Sequence, residues 1–261
     1  MHSGMWEWRA YGQTDRGLVR PTNQDTLLID VGHRLWAVAD GMGGHAGGDI
    51  ASRLVADTLA DLAPTLSLDA PEEESITSRL TAMVQRAHAS VLNHANRHPP
   101  LQDMGTTLVL AHLLPFPSPR LIVVNVGDSR AYLIRAASIT QLTRDHTLIE
   151  EYVRDGHLTP AQAACHPDRH VLTRAVGLGP SIDGDIFPCE LQDDDLILLC
   201  SDGLTKMLTD ERILHVAMPH RHDPLLAVQA LIRAALDEGG IDNVTVIGCA
   251  ITDTPDPADR H

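Results

Sequence analysis

Residues 35–48 join an apolar run of strand length, a single aspartate and a glycine-rich turn, and an amphipathic helical pattern begins directly afterwards. This order predicts a strand, a tight turn and a helix in immediate succession. Asp40 is then placed at the end of the strand. Gly41 has no Cβ, so its main-chain carbonyl can closely approach a ligand. A carboxylate beside a main-chain carbonyl is an oxygen-only pair of the kind that Mg²⁺ or Mn²⁺ prefers.

The same stretch has two other interpretations. Glycine-rich turns between a strand and a helix also bind phosphate, but residues 41–48 contain neither G-x-G-x-x-G nor a Walker lysine. A nucleotide loop is therefore the weaker interpretation. A plain turn without a function is the other, because short glycine motifs often occur by chance.

Composition bounds the fold and the partners. The 261 residues are 43% hydrophobic, which is enough for one sizeable core, so we expect one domain over residues 1–251 and a polar tail over residues 252–261. The net charge of −15 argues against nucleic acid or a membrane surface as a partner. Four cysteines without metal or disulfide spacing, and the lack of a signal-peptide or membrane-span pattern, predict a cytoplasmic protein. We also expect it to be a monomer.

Hydrophobic periodicity predicts a mixture of strands and helices. Strands are predicted at residues 5–11, 26–31, 35–40, 106–114, 121–126, 131–135, 195–200 and 244–251. Helices are predicted at residues 49–62, 76–92, 148–154, 210–218 and 224–236, with a further short one from residue 159. Residues 145–180 are interpreted as a loop-rich insertion, which either carries substrate contacts or a lid or is merely decorative.

Four aspartates lie at or next to the ends of predicted strands, namely Asp40, Asp128, Asp202 and Asp242. A single such aspartate, for instance Asp128 in a Gly-Asp-Ser hairpin tip, is explained equally well by turn chemistry. Four of them in a chain whose strands share one or two sheets can converge on a cation cluster. The sequence therefore favours a divalent-metal site over the plain turn.

Five motifs occur in a fixed order: Arg20 with Asn23-Gln24-Asp25, then Asp40-Gly41-Met42-Gly43-Gly44, Gly127-Asp128-Ser129-Arg130, Ser201-Asp202-Gly203 and Asp242-Asn243. In order and spacing they resemble the motifs of the metal-dependent PP2C-type protein serine/threonine phosphatases, in particular their compact bacterial branch. The resemblance runs from about residue 10 to residue 251. It implies an α+β fold, a four-layer α-β-β-α sandwich of two antiparallel sheets flanked by helices, with a metal cleft at one end and residues 145–180 as the flap.

The resemblance also implies a metal site with two core Mn²⁺ or Mg²⁺ ions. Asp40 is expected to bridge the two ions and Gly41 to offer its carbonyl to one of them. Asp202 and Asp242 are expected to complete the protein ligands of the first ion. Asp128, with Asp202, is expected to frame a weaker third ion.

Arg20 is expected to hold the substrate phosphate and to form the catalytic set together with three of those aspartates, at positions 40, 202 and 242. Asp25, Gln24 and Asn243 are expected to support the ligands from outside. The sequence departs from many relatives at Gln24, where they have a metal-binding glutamate, and at Met42, where the animal enzymes have a histidine proposed as the general acid. His45, the nearest histidine, is interpreted as a loop residue without a chemical role.

The implied reaction is hydrolysis of phosphoserine or phosphothreonine on proteins by metal-activated water. The partners are then phosphoproteins, including a bacterial serine/threonine kinase or its targets. Two other functions remain open from the sequence. One is a phosphatase-like module that binds phosphoproteins without turnover, and the other is a phosphoesterase for small molecules.

Overall fold

The computed structural model describes residues 5–42, 47–66, 73–114 and 118–254. The strands in this part of the chain are β1 (Met5–Asp15), β2 (Asp25–Asp30), β3 (Leu35–Met42), β4 (Gly105–Thr106), β5 (Leu108–Leu114), β6 (Arg120–Val126), β7 (Arg130–Arg135), β8 (Ser138–Gln141), β9 (Asp185–Glu190), β10 (Leu196–Cys200) and β11 (Val244–Thr254). The helices are α1 (Gly48–Leu62), α2 (Glu73–Arg97), α3 (Leu148–Arg154), α4 (Pro160–Ala164), α5 (Asp202–Thr205), α6 (Asp210–Ala217) and α7 (Pro224–Asp237).

The strands form two antiparallel sheets. Sheet A has the order β1-β11-β10-β7-β8, and sheet B has the order β2-β3-β5-β6-β9, with β4 paired to the end of β3. The predicted hairpin around Asp128 is wrong, because β6 pairs with β5 and β9 in sheet B while β7 pairs with β10 and β8 in sheet A. The turn between β6 and β7 therefore crosses from one sheet to the other, and this turn contains Asp128.

Three apolar clusters hold the layers together. One joins α1 and α2 to sheet B, a second joins α6 and α7 to sheet A, and the third lies between the sheets. Alternation along β3 shows how the sequence achieves this: Leu35 and Ala37 contribute to the helix-facing cluster, while Trp36 and Val38 contribute to the cluster between the sheets. The predicted four-layer α-β-β-α sandwich is confirmed.

Three predicted strands ended too early. β1 continues four residues beyond its predicted end at residue 11, to Asp15, because all of it pairs with β11. β3 continues through Gly41 to Met42, because the backbones of these two residues pair with β4. β11 continues to Thr254, three residues into the predicted tail, because β1 pairs with it along its whole length. Residues 255–261 of the predicted tail lie outside the described part of the chain.

Three short elements were not predicted, namely β8, β9 and α5. β9 lies at the edge of sheet B and contains Pro188, a residue that lowers the strand signal and is tolerated at edges. β8 has four residues at the edge of sheet A, which is too short for a clear period. α5 begins at Asp202 itself, so the strand-end aspartate is also the first residue of a helix.

The predicted flap contains both expected short helices. Thr159 caps α4 with a reciprocal capping box to Gln162, as the Thr-Pro start predicts. The flap is held to the core at both ends: Arg130 pairs with Asp145, and Val176 exchanges backbone hydrogen bonds with Thr106 of β4. Among the helices of the described residues, none is long and apolar enough to cross a membrane.

Candidate active site

The predicted site residues meet in one cleft at the end of the sandwich, beneath the flap. The cleft has a volume of about 1110 Å³. Its lining includes Arg20, Gln24, Asp40, Gly41, Asp128, Asp202, Asp242 and Asn243. Asp25 lies buried behind this lining, so the structure brings together all of the predicted catalytic, metal-ligand and outer-partner residues.

Asp40 is fixed by the backbone around it. Its N–H donates to the Thr107 hydroxyl at 3.1 Å, and its carbonyl accepts from the Thr107 N–H at 2.9 Å. The next position must be glycine, because a Cβ on Gly41 would lie only 2.0 Å from the carbonyl oxygen of Gly48. This close contact packs the start of α1 against the carboxylate-bearing end of β3.

Asp25 links the two sheets. Its Oδ2 accepts hydrogen bonds from the hydroxyls of Ser201 at 2.8 Å and Thr245 at 2.6 Å, which follow β10 and belong to β11. Burial and, to a smaller extent, the charge of Asp202 raise the pKa of Asp25 to about 6, against the lowering effect of these two hydroxyls. An ionised Asp25 therefore adds to a concentration of negative charge behind the cleft.

Asp202 and Asp242 are brought together by a second close contact. A Cβ on Gly203 would lie 1.8 Å from the carbonyl oxygen of Asn243, so only glycine allows the start of α5 to pack on the loop before β11. The Asn243 N–H donates to Asp242 Oδ1 at 2.9 Å, which orients that carboxylate.

The Asn243 side chain holds the loop that presents Arg20. Its amide donates to the carbonyls of Arg16 at 2.8 Å and Thr22 at 2.9 Å. Its oxygen accepts from the Gln24 N–H at 2.9 Å. One side chain therefore fixes both ends of this loop, and the Arg20 guanidinium donates to Asp242 Oδ2 at 2.8 Å.

Lys206 also lies in this cluster, and the sequence interpretation did not identify it. Its ammonium contacts Asp202 Oδ2 at 2.5 Å and Asp242 Oδ2 at 2.8 Å. Burial lowers its pKa, but the two carboxylates raise it by more, so the pKa lies above that of an ordinary lysine. Two signals could have found it: Lys206 is the only lysine in the chain, and it follows Asp202 by one helical turn.

Asp128 lies in the turn between β6 and β7, where the chain crosses from sheet B to sheet A. Gly127 before it has a φ of 101°, which favours glycine. Burial, followed by the charges of Asp202 and Asp145, raises the pKa of Asp128 to about 7. Asp128 therefore faces the same group of carboxylates as Asp202 does.

The donor set fits divalent cations. Burial and the charges of Asp25, Asp202 and Asp128 hold the pKa of Asp40 well above its usual range, so the cluster gains stability from added positive charge. The buried Oδ1 of Asp202 has no hydrogen-bond partner among the described residues. Across those residues no three carboxylate, histidine or cysteine side chains already form a metal cage. Lys206 instead bridges two of the expected ligands, and Gly41 would contribute a main-chain carbonyl.

The glycine-rich turn is only partly described. Met42 lines the cleft but carries no proton to donate. Gly43, Gly44 and His45 lie outside the described residues, so the interpretation of His45 stays a prediction.

Comparisons with known proteins agree with the motif pattern. The family profile described as Protein phosphatase 2C matches residues 19–237. The chain is 39% identical over 247 residues to the serine/threonine protein phosphatase PstP of Mycobacterium tuberculosis, which covers 94% of this chain and 45% of that protein. It is 35% identical over 239 residues to the serine/threonine phosphatase stp of Listeria welshimeri, covering 90% of this chain and 92% of that protein.

A solved structure extends this similarity to the fold. The catalytic domain of PstP in complex with two manganese ions matches with a TM-score of 0.81 at 36% identity, over 95% of this chain and 100% of that chain. The chain therefore spans the catalytic part of PstP and slightly less than half of its full length.

Proposed function

This chain belongs to the protein phosphatase 2C family, and we propose that it hydrolyses phosphoserine and phosphothreonine on proteins with the help of divalent cations. The observation that carries this proposal is the convergence of four aspartates in one cleft. They come from β3, from the turn between β6 and β7, from the start of α5 and from the loop before β11. Arg20 lies at the same opening with a half-exposed side chain, where a phosphate can reach it.

The cations would be two Mn²⁺ or Mg²⁺ ions with a weaker third. Asp40, Gly41, Asp202 and Asp242 would hold the first two, and Asp128 would help to hold the third. Such ions, when bound, lower the pKa of water and stabilise the charge of the reacting phosphoryl group. The two manganese ions of the related PstP structure support this assignment.

The chain itself supplies binding and orientation. Arg20 presents a planar, permanently charged fork that matches phosphate oxygens, and its exposure lets it turn from Asp242 to a substrate. Asn243 fixes the position of the Asp242 carboxylate relative to the loop that carries Arg20. Gln24 would support the site from outside through its backbone, which accepts from Gly41 and donates to Asn243. Asp25 would act in the same way from behind Asp40.

The substrates in this proposal are phosphoproteins, including a bacterial serine/threonine kinase or its targets, and the enzyme acts as a monomer in the cytoplasm. The names of the relatives support the substrate class. Free thiols at all four cysteines support a reducing compartment. The net charge of −15 supports a protein substrate over nucleic acid.

The test compares phosphopeptide, p-nitrophenyl phosphate and a nucleotide as substrates, before and after exhaustive chelation and after Mn²⁺ is added back. We expect chelation to abolish phosphopeptide turnover and Mn²⁺ to restore it, with Asp242→Asn as the inactive control. Phosphopeptide binding without turnover would indicate a binding module. Turnover of the nucleotide alone would indicate a small-molecule phosphoesterase. Full turnover after chelation would overturn the role of the metal.

A further inference from the structure

Lys206 occupies the position between two expected metal ligands. Its ammonium lies 2.5 Å from Asp202 Oδ2 and 2.8 Å from Asp242 Oδ2. Its side chain is only 20% exposed, and the two carboxylates are 15% and 13% exposed. Ion pairs that are this well shielded from water are screened much less than surface pairs.

The local sequence builds this arrangement. Lys206 follows Asp202 by four residues and its N–H donates to the Asp202 carbonyl at 2.7 Å, so both side chains lie on one face of the turn. The close contact of Gly203 with Asn243 brings Asp242 to the same face. One ammonium can therefore reach both carboxylates only because these two segments pack so tightly.

The choice of residue is also informative. Lys206 is the only lysine in the sequence, and the other permanently charged basic residues are all arginines. A lysine ammonium is a compact point charge on a flexible stem, whereas arginine binds carboxylates through a fixed, planar fork. The compact group can fit between two carboxylates, and its stem can swing away without rearranging the backbone.

A divalent ion and this ammonium need the same oxygens. An ion held by Asp202 and Asp242 would compete for the two oxygens that the ammonium contacts, and the two cations would repel each other at that short range. We propose that Lys206 is an internal counter-cation of the metal site, which holds Asp202 and Asp242 together when divalent ions are scarce and must be displaced before an ion binds.

This positioning role has two consequences, and it rests on the proposed function for the identity of the metal ligands. Lys206 lowers the affinity for Mn²⁺, because every binding event must break its two ion pairs. It also stabilises the protein when chelator is present, because it offsets the repulsion among the carboxylates.

The first test is calorimetric titration of Mn²⁺ into chelated protein, together with thermal unfolding in chelator. Lys206→Gln is expected to tighten Mn²⁺ binding about tenfold, the effect of one lost charge-assisted hydrogen bond, and to lower the melting temperature in chelator. Lys206→Arg should stay closer to the parent protein in both measurements. The matched control is Arg233→Gln, which removes an exposed ion pair with Asp237 away from the cleft. Unchanged or weaker Mn²⁺ binding by Lys206→Gln would overturn the proposal.

The second test uses the parent protein and does not depend on a folded variant. Selective ¹⁵N-lysine labelling gives the ammonium signal of a single side chain, because the sequence has one lysine. In chelator the signal should be visible, since both carboxylates slow its exchange with water, and saturating Mg²⁺ should shift or abolish it. An unchanged signal at an Mg²⁺ concentration that calorimetry shows to be saturating would overturn the proposal.

These outcomes separate the inference from the proposed function. If Lys206→Gln binds Mn²⁺ more tightly but the parent protein has no phosphatase activity, the counter-cation role of Lys206 is supported and the proposed phosphatase function is refuted. If the parent protein is a metal-dependent phosphatase but the parent and Lys206→Gln bind Mn²⁺ with equal affinity, the phosphatase function is supported and the counter-cation role is refuted.

Discussion

Asp25 lies directly opposite Asp40 in the antiparallel pairing of β2 with β3. Like charges at directly opposed positions destabilise a sheet, and here burial makes the cost larger. Both carboxyls have raised pKa values, and the charge of Asp25 contributes to the shift of Asp40. The pair is therefore a source of strain that added cations would relieve.

The first prediction concerns this pair. Asp25→Asn keeps an oxygen that can accept from Ser201 and Thr245 but removes the charge, so the free energy of unfolding in chelator should rise by about 1–2 kcal/mol. Mn²⁺ affinity should fall about tenfold, as for other outer partners of metal ligands. Urea unfolding and calorimetry measure the two effects. Asp30→Asn, at the other end of the same strand, is the control and should leave Mn²⁺ affinity unchanged.

The second prediction concerns phosphate binding. Arg20→Ala should raise the KM for phosphopeptide about tenfold or more and lower kcat by a smaller factor, because phosphate charge redistributes in the transition state. Steady-state kinetics on a phosphopeptide measure both constants. Arg16→Ala is the control, since Arg16 belongs to the same loop but contacts the carbonyl of Pro21. An unchanged KM in Arg20→Ala would place phosphate binding elsewhere.

The third prediction separates a metal role from a turn role at Asp128. Asp128→Ala should lower kcat about tenfold or more while calorimetry shows normal Mn²⁺ binding at the two tight sites. A residue needed only for structure behaves differently. Asp223→Ala removes the cap that Asp223 provides for α7 and should cost about 1 kcal/mol of stability with turnover intact. If Asp128→Ala likewise loses only stability and keeps its turnover, Asp128 has a structural role in the turn and no role in metal binding.

The fourth prediction concerns acid stability. Burial of His112 in β5 lowers its pKa to about 4. Between that value and the ordinary pKa of about 6.5, the unfolded chain binds a proton that the folded protein does not bind, so stability falls as the pH falls through this window. Urea unfolding at pH 7 and pH 5 should show that the parent protein loses about 2 kcal/mol more than His112→Gln does, because other shifted groups, such as Asp25 and Asp128, titrate in both proteins. Equal losses in both proteins would contradict the assignment.

The sequence predicted most of the helices and strands because long, periodic segments carry a strong signal, whereas the four-layer arrangement came from the resemblance to the phosphatase family. Residues 35–40 and 244–251 lie within strands, and the helices from residues 49 and 224 begin within one residue of the predicted starts. β8 and β9 were not predicted, because short edge strands depend on their neighbours more than on their own pattern. The register of β2 on β3, which opposes Asp25 and Asp40, also depends on tertiary packing.

The motifs located the aspartates and Arg20 but not Lys206, the second cation that balances them. Asp40, Asp202 and Asp242 could be found from the order of five short sequences. Lys206 belongs to none of these motifs, and its place between two carboxylates depends on how closely Gly203 packs on Asn243. A close approach of two backbone segments leaves no periodic trace in the sequence.

The pairing of β1 with β11 also has a consequence for synthesis. β1 has β11 as its sheet neighbour, with Met5 opposite Thr254 and Asp15 opposite Val244. During synthesis β1 is therefore made long before β11, and it cannot pair until nearly all the described chain has been made. Because Asp242 and Asn243 directly precede β11, the growing polypeptide completes the edge of sheet A and the carboxylate cluster in the same late step.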